Sequence, residues 1–433
     1  MKRHENGRRI LSTEVTEMQK AWKRIGLAVV SLGLAMTLVL GSVVPAKAAE
    51  ERVVKIGVLA GLTGPQATNG VPLFHGTRDC ILHTNDQGGI DGIKLEMEWQ
   101  DTQGGIARGI SSYKRLREAG IKMAVEYIAT TLEVLTPNYA GDEIPVVWQG
   151  GPSVGMITKP AWILSYTPSA AWLLMWFAKW ASDNWTEDRP LRLGVMIIDY
   201  SRTLEALECV DYGRKYLPEM GIEFVGYEVV PLLGTIDTST EWLRLANKKP
   251  DWVFMAAFGS SEVTVIKDAA RLGIMEKGIK LTGVYVFDEF IINVVGKAAE
   301  GWYIEKYYPS AIESDLPGMK ALYEAAEKYS GWEPEKIPGL YISSWIPMMV
   351  GIEAIRLAIE KVGFENLTGR VIRDILFGIK DFDTGLIPPI TTSEERPFLS
   401  SAQRMYQVQQ GKIVPVDEWH DYALPPEVYI YMP

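Results

Sequence analysis

Short apolar runs alternate with amphipathic stretches along the chain after residue 52. Short apolar, β-branched runs predict strands, whereas apolar positions spaced three and four apart predict helices. The first part of this pattern predicts strands at 53–62, 94–101, 123–128, 145–148 and 163–166, with helices at 71–85, 107–119 and 132–140. Strands and helices that alternate in this way are typical of βαβ units and a parallel sheet.

The pattern then repeats with a second set of elements. Strands are predicted at 192–199, 223–231, 251–258 and 280–286, with helices at 169–185, 203–220, 238–248 and 261–272. Three more helices follow at 316–329, 340–362 and 367–379, and the segment RMYQVQQGKIVPV predicts a β-hairpin that turns at Gln410-Gly411. Because the late helices must pack on a sheet that is already complete, we expect two α/β lobes, several chain crossings and a hinge.

The segment 122–153 is the first candidate for a binding site. Thr130 and Thr131 are expected to cap the helix at 132–140, and Gly151 and Ser153 follow the strand that ends at Trp148. Parallel strands place their carboxyl ends side by side, and a helix N-terminus with free N–H groups accepts a carboxylate. The alternative is that the hydroxyls only cap and turn the chain, and that Trp148 only packs at its strand end.

The tryptophans of one predicted helix form a stripe. Trp172, Trp176 and Trp180 are four residues apart within 169–185, so they share one face of that helix. A stripe of this kind is more often part of a core than a contact with a partner or a membrane, and we predict a core position.

The N-terminal segment has the pattern of a secretory signal. Basic residues precede an uncharged apolar run at 25–44, and the sequence Pro45-Ala46-Lys47-Ala48 follows it. We therefore expect residues 1–48 to be a signal peptide that is removed after Ala48, which places the protein in the periplasm or another extracytoplasmic compartment. The run is also long enough to span a bilayer, so an uncleaved anchor is the alternative.

The charge of the exported chain excludes some classes of partner. Residues 1–48 contain eight Lys/Arg and three Asp/Glu, and the remaining 36 basic and 51 acidic side chains give a net charge of −15. Such a surface repels nucleic acid and anionic lipid. Cys80 and Cys209 lie in different predicted lobes, so no disulfide is expected between them.

Signals for catalysis or metal binding are scarce. The chain contains no GxSxG, HExxH, GxxxxGK[ST] or paired CxxC motif, so we expect neither an enzyme nor a cofactor. His75, Asp79 and His83 share a helix face beside Cys80, but no fourth ligand is evident. A polar helix face is the simpler interpretation, and no metal site is predicted.

Three motifs in order carry a resemblance to a known family. VVKIGVLAGLTGP is followed by GGIDGIKLEMEWQDTQG and later by AAEGW. Together they resemble the branched-chain amino-acid-binding group of periplasmic solute-binding proteins, the leucine/isoleucine/valine-binding type, over residues 52–420. The resemblance implies the type I periplasmic binding fold, with two Rossmann-like lobes and three hinge crossovers. The lobes would comprise residues 52–165 plus 310–385, and 166–309 plus 386–433 with the C-terminal tail.

The resemblance also implies which residues bind the solute. In the family, a serine after the third strand and a turn after the fourth hold the ligand's α-carboxylate and part of its ammonium group. Those positions match Thr130, Gly151 and Ser153, and an aromatic residue on a late helix matches Tyr341. The family's nearby disulfide is missing, since its two positions fall near Gln103 and Ala129.

The second lobe departs from the family pattern. The segment DYSRTLEAL stands in place of D-x-x-x-Y-G and leaves Tyr200 or Thr203 as substitutes, and the next family tyrosine matches Phe258. The glutamate that neutralises the ligand ammonium falls at Val284 or Tyr285. A buried ammonium without a carboxylate is strongly disfavoured, so a carboxylate with an apolar or aromatic body suits this chain better than a zwitterion.

The resemblance implies a monomeric receptor that delivers a small carboxylate, amino acid or amide-like solute to the permease subunits of an ABC importer. A ligand-sensing domain of the same fold is the alternative function. It would need an output domain or a transmembrane helix, and the sequence after residue 50 shows neither, so this alternative depends on an uncleaved leader.

Overall fold

The computed structural model describes residues 52–200, 203–204, 216–232, 234–257, 259–284 and 287–424. Its first sheet has five parallel strands in the spatial order β2-β1-β3-β4-β5. The strands are β1 (Val53–Ala60), β2 (Lys94–Asp101), β3 (Met123–Glu126), β4 (Val146–Trp148) and β5 (Ile163–Ser165). The helices between them are α1 (Ala67–Asp86), α2 (Ile106–Glu118) and α3 (Ala129–Gly141). This sheet forms the first lobe.

The second sheet begins after α4 (Ala170–Asp183) and forms the second lobe. Five of its strands are parallel, and three further helices lie between them. In chain order these elements are β6 (Leu191–Asp199), β7 (Ile222–Pro231), α5 (Ser239–Asn247), β8 (Trp252–Ala256), α6 (Gly259–Arg271), β9 (Lys280–Gly283), α7 (Glu289–Val295) and β10 (Tyr303–Lys306).

The last part of the chain returns to the first sheet and then to the second. It contains α8 (Met319–Ala325), α9 (Gly339–Val362), α10 (Gly369–Leu376), β11 (Gln403–Gln409) and β12 (Lys412–His420). The final hairpin is antiparallel and completes the spatial order β12-β11-β10-β9-β8-β6-β7. Short 3₁₀ turns lie at Gly64–Gln66, Val154–Met156, Pro218–Met220, Met275–Lys277, Gly296–Ala299, Pro334–Lys336 and Phe364–Asn366, and a π-helical turn, Ala326–Ser330, follows α8.

Three crossovers connect the two sheets, at residues 166–169, 307–310 and 399–402. They lie against one another. The Ser165 N–H donates to the Pro397 carbonyl (2.9 Å) and the Leu399 N–H donates to the Ser165 carbonyl (2.8 Å). The rings of Tyr166 and Tyr307 meet edge to face at 4.7 Å. The predicted two-lobed α/β fold with three crossovers is therefore confirmed, while the residue limits of the lobes stay a prediction.

Each sheet has an apolar core on both of its faces, as parallel sheets require. In the first lobe α1 and α9 cover one face, and α2 and α3 cover the other. Among the described residues, α9 is the one helix long and apolar enough to cross a membrane, and 67% of its most apolar window is buried in the protein. It packs as a core helix.

The tryptophan stripe of α4 lies in the second lobe's core, as predicted. Trp172 and Trp176 are completely buried and Trp180 is 6% exposed. The Trp180 N–H donates to the Asp417 carboxylate (2.6 Å), and the Trp176 N–H donates to the His420 carbonyl (3.0 Å). The stripe therefore holds α4 against the C-terminal hairpin.

The local predictions differ from the structure at several places. The bounds of β2 and the hairpin turn are correct, whereas α7 and β10 were not predicted from the pattern. The predicted helix at 203–220 lies mostly outside the described residues, as does Cys209, while Cys80 is buried as a free thiol.

The predicted threonine cap of α3 is wrong. The helix begins at Ala129, three residues earlier than expected, and its N-cap residue is Ile128, which offers no side-chain acceptor. Thr130 and Thr131 therefore lie inside the first turn and cannot occupy the capping position.

Candidate functional site

The amino end of α3 lies at the carboxyl edge of the first sheet. Only Tyr127 and Ile128 separate the end of β3 from the start of the helix. The N-cap residue has no side-chain acceptor, so its side chain does not cap the N–H groups of the first turn. The half-buried Thr130 belongs to this first turn. Such a helix end, with a hydroxyl beside it, suits a carboxylate.

Thr131 points away from this edge. It is completely buried, and a Cβ placed on Gly109 of α2 would clash with its methyl group. Its hydroxyl has no partner among the described residues. Of the two threonines, Thr130 is therefore the better candidate for contact with a solute.

The loop after β4 is held by its own hydrogen bonds. The buried Trp148 indole donates to the Gly151 carbonyl (2.9 Å), and the Ser153 hydroxyl donates to the Glu133 carboxylate on α3. A Cβ at Gly151 would clash with the Pro168 carbonyl of the first crossover, so the position requires glycine. These residues shape the loop beside α3 and join it to the crossover.

Tyr341 lies in the core of the first lobe, near the start of α9. Its hydroxyl donates to Asp79 (3.2 Å), and its ring contacts Trp332 and Trp345 between α1 and α9. Burial, followed by the negative charge of Asp79, raises the pKa of this tyrosine. The Tyr341 side chain is therefore engaged in the core that also contains Tyr127, and its assignment to the site stays a prediction.

The residues considered for a metal site are engaged with protein groups. Asp79 pairs with Arg78 (2.7 Å) and accepts from Ser330, and the His75 Nδ1 lies 2.8 Å from the Ser330 hydroxyl. Within the described residues no group of three His, Cys, Asp or Glu side chains could hold a metal ion.

Tyr200 is the predicted residue that reaches from one lobe to the other. It follows β6, is half-buried, and packs against the second-lobe cluster that contains Ile198. It also packs against the first-lobe cluster that contains Leu132 and Trp148. Thr203, the other candidate, is buried and donates to the Ile198 carbonyl (2.7 Å).

Phe258 and Tyr285 lie outside the described residues, as does part of each loop after β8 and β9. Their assignment to the site stays a prediction. The structure brings together the α3 end, the loop after β4 and Tyr200, which belong to both lobes.

Three charged side chains that the sequence did not single out as a group lie at the carboxyl ends of β8, β9 and β10. They are Glu262, Asp288 and Lys306, all buried. The Glu262 oxygens have no partner among the described residues, while Asp288 caps α7 through the N–H groups of Phe290 (3.0 Å) and Ile291 (3.4 Å). The sequence signal that could have pointed to Glu262 is its position as an acidic residue in the first turn of α6.

Burial is the main influence on both carboxyl groups. It raises the pKa of Glu262, to which the negative charge of Asp288 adds. Burial and the neighbouring Glu289 raise the pKa of Asp288 to about 7, although Lys306 acts in the opposite direction. The Lys306 ammonium lies 4.5 Å from the centre of the Tyr308 ring. Both carboxyl groups therefore bind protons more tightly than exposed carboxyl groups do.

The family model described as "Periplasmic binding protein" matches residues 53–412. The chain belongs to this family. The match covers the first sheet, the second sheet except β12, and all three crossovers, so it includes every element that forms the candidate site.

A curated member from Brucella abortus (strain 2308), "Leu/Ile/Val-binding protein homolog 2", is 22% identical over 252 residues. This match covers 57% of the present chain and 65% of the relative. The chain thus matches just under two thirds of the length of that relative.

Solved structures of ABC transporter proteins share the fold. A branched-chain amino acid ABC transporter protein from Thermus thermophilus with bound valine has a TM-score of 0.72 at 20% identity, and the match covers 86% of this chain and 97% of that one. A solute-binding protein from R. palustris in complex with 4-hydroxybenzoate has a TM-score of 0.71 at 18% identity, covering 86% and 99%. At these identities the likeness establishes the fold.

Proposed function

We propose that this chain is the extracytoplasmic solute-binding receptor of an ABC importer, and that its lobes close on a small carboxylate. The observation that carries the proposal is Tyr200, which leaves the second sheet and packs against the first-lobe cluster beside the α3 end. A solute held at that end would contact both lobes. Family membership and the likeness to solute-binding proteins support the same role.

The chemistry of the α3 end supports a carboxylate. The first turn offers N–H groups without a side-chain cap together with the Thr130 hydroxyl, and all of these can donate to an anion. The relatives from Thermus thermophilus and R. palustris bind valine and 4-hydroxybenzoate, both of which carry a carboxylate. Aromatic residues at 258 and 285 would favour an apolar or aromatic body.

The proposal also includes export of the chain and delivery of the solute. Residues 1–48 would direct the chain out of the cytoplasm and be removed, and the soluble monomer would deliver solute to the permease subunits. No catalytic role is proposed.

A thermal-shift panel tests the solute class. Leucine, isoleucine and valine are each compared with the carboxylic acid of the same skeleton that lacks the amino group. Because a ligand that binds the folded state raises the melting temperature, the deaminated acids should give the larger shifts. The physical reason is that the family's glutamate is missing at Val284-Tyr285. A buried ammonium group would therefore lose its hydration without gaining a carboxylate as counter-charge.

Two variants show whether the α3 end is the site. Thr130→Ala should weaken binding by about 1–3 kcal/mol through loss of one hydrogen bond to a charged acceptor. Ser111→Ala removes an exposed hydroxyl that donates within α2 (2.9 Å) and should bind like the wild type.

The thermal-shift panel can contradict the proposal in two ways. If the amino acids raise the melting temperature more than the deaminated acids do, Asp288 or Glu262 must supply the counter-charge to the ammonium group. If no carboxylate raises the melting temperature, the proposed solute class is wrong.

A further inference from the structure

Three buried polar side chains on neighbouring strands of the second sheet have no hydrogen-bond partner within the described part of the chain. They are Thr282 on β9, Glu305 on β10 and Gln403 on β11, each at most 1% exposed. The Thr282 hydroxyl, both Glu305 oxygens and both polar atoms of the Gln403 amide make no hydrogen bond to any described residue. Buried polar groups in folded proteins nearly always have partners, so three unpartnered side chains on adjacent strands require an explanation.

The strand register places all three on one face of the sheet. Glu305 pairs with Met405, and Gln403 lies two residues from Met405, so both share its face. Thr282 pairs with Tyr303, which lies two residues before Glu305 on that same face. Met405 belongs to the core cluster formed with α4, so the three side chains point toward that helix.

The side chains of α4 do not supply the missing partners. The Trp176 indole donates to the carbonyl of His420, the β12 residue that pairs with Gln403 of β11. The Trp180 indole donates to Asp417. Both N–H groups are thus used at the hairpin edge, beside the polar set.

Among the residues that the structure describes, no charged side chain contributes to the pKa shift of Glu305 on this face. Lys306, the next residue after Glu305, points to the opposite face, where its ammonium lies 5.5 Å from the Tyr406 ring centre. Burial raises the pKa of Glu305, which favours the protonated, uncharged form of its carboxyl group. A neutral acid, an amide and a hydroxyl together offer both donors and acceptors without net charge. This combination suits a small uncharged molecule that donates and accepts hydrogen bonds.

We propose that the polar side chains between this face and α4 bind internal water molecules, which hydrogen-bond to Thr282, Glu305 and Gln403. Water has the required size and makes about three hydrogen bonds when buried among polar groups. Glu305 lies two residues before Tyr307 of the second crossover, and Gln403 directly follows the third crossover. The water molecules beside Glu305 and Gln403 therefore lie close to these two crossovers, where they bridge polar groups that make no direct contact.

Oxygen-17 magnetic relaxation dispersion of the exported protein tests the proposal, because it counts water molecules that exchange slowly with solvent. Thr282→Val is nearly isosteric and removes one hydroxyl without a protein partner. The expected result is at least one slowly exchanging water fewer than in the wild type. Thr136→Val is the matched control, since that buried hydroxyl donates to the Leu132 carbonyl (2.8 Å) and should leave the count unchanged.

Two variants of Glu305 complete the test. Glu305→Gln keeps donors and acceptors at the same place and should preserve the count, whereas Glu305→Leu should lower it. Circular dichroism confirms that each variant is folded before the count is compared. An unchanged count in both Thr282→Val and Glu305→Leu would overturn the proposal and would mean that these side chains hydrogen-bond with one another.

Discussion

Asp288 links the charge of one residue to the stability of the fold. Its pKa is raised from 3.8 to about 7, first by burial and then by Glu289, while Lys306 lowers it. The folded state therefore binds this proton more tightly than the unfolded state does. The free energy of unfolding should fall as pH rises from 3.8, the unfolded pKa, to about 7, the folded pKa, by at most about 1.4 kcal/mol per pH unit for one group. The stabilisation is fully present only below the unfolded pKa.

Asp288→Asn removes the titration but keeps an oxygen that can cap α7. We expect the free energy of unfolding of this variant to depend less on pH than that of the wild type, as measured by urea denaturation between about pH 4 and 8. Glu262 also has a raised pKa, so some dependence should remain. The control is Asp237→Asn. Ser239 and Arg271 lower the pKa of this exposed carboxylate, so it should not contribute to the fall in stability as pH rises. Parallel curves for Asp288→Asn and the wild type would show that Asp288 does not titrate in this window.

The C-terminal hairpin shows how a single turn determines an element. Gln410 and Gly411 form the two-residue turn between the paired residues Gln409 and Lys412, with φ values of 53° and 72°. A turn with two positive φ values has the twist that a hairpin needs and favours glycine. A Cβ at Gly411 would meet no atom within 4 Å, so the backbone conformation alone opposes a side chain.

Gly411→Ala should therefore lower the free energy of unfolding by about 1–2 kcal/mol, the cost of a left-handed conformation for a residue with a Cβ. Gly141→Ala is the matched control, because its Cβ also meets open space but its φ is not positive. Alanine at that position, in the last turn of α3, should be neutral or slightly stabilising. Equal effects of the two substitutions in denaturant titrations would contradict the assignment of the turn.

At the scale of the whole molecule, the three adjacent crossovers form a hinge between two lobes that each have their own core. A solute that contacts both lobes favours the closed arrangement over the open one. We expect the radius of gyration, measured by small-angle X-ray scattering, to decrease when a solute that raises the melting temperature is added. A compound without a thermal shift should leave it unchanged. A bound solute that causes no compaction would rule out closure as the response to binding.

The sequence by itself determined the two sheets, most of their strands and helices in order, and the hairpin turn, although α7 and β10 were not predicted. These features depend on local properties: apolar runs of strand length, helical spacing of apolar positions, and a glycine where φ must be positive. The bounds predicted for β2 and the turn at Gln410-Gly411 agree with the structure for this reason. The tryptophans of α4 were placed in the core by spacing alone.

Only the tertiary structure decided which polar side chains are exposed at the site and which are used elsewhere. Thr130 and Thr131 are adjacent, yet Thr131 is buried because Gly109 on another helix leaves room for its methyl group. Tyr341 bonds to Asp79, 262 residues away in sequence, and Tyr200 packs against a cluster of the other lobe. Burial and hydrogen-bond partners arise from contacts between distant segments, which local periodicity does not encode.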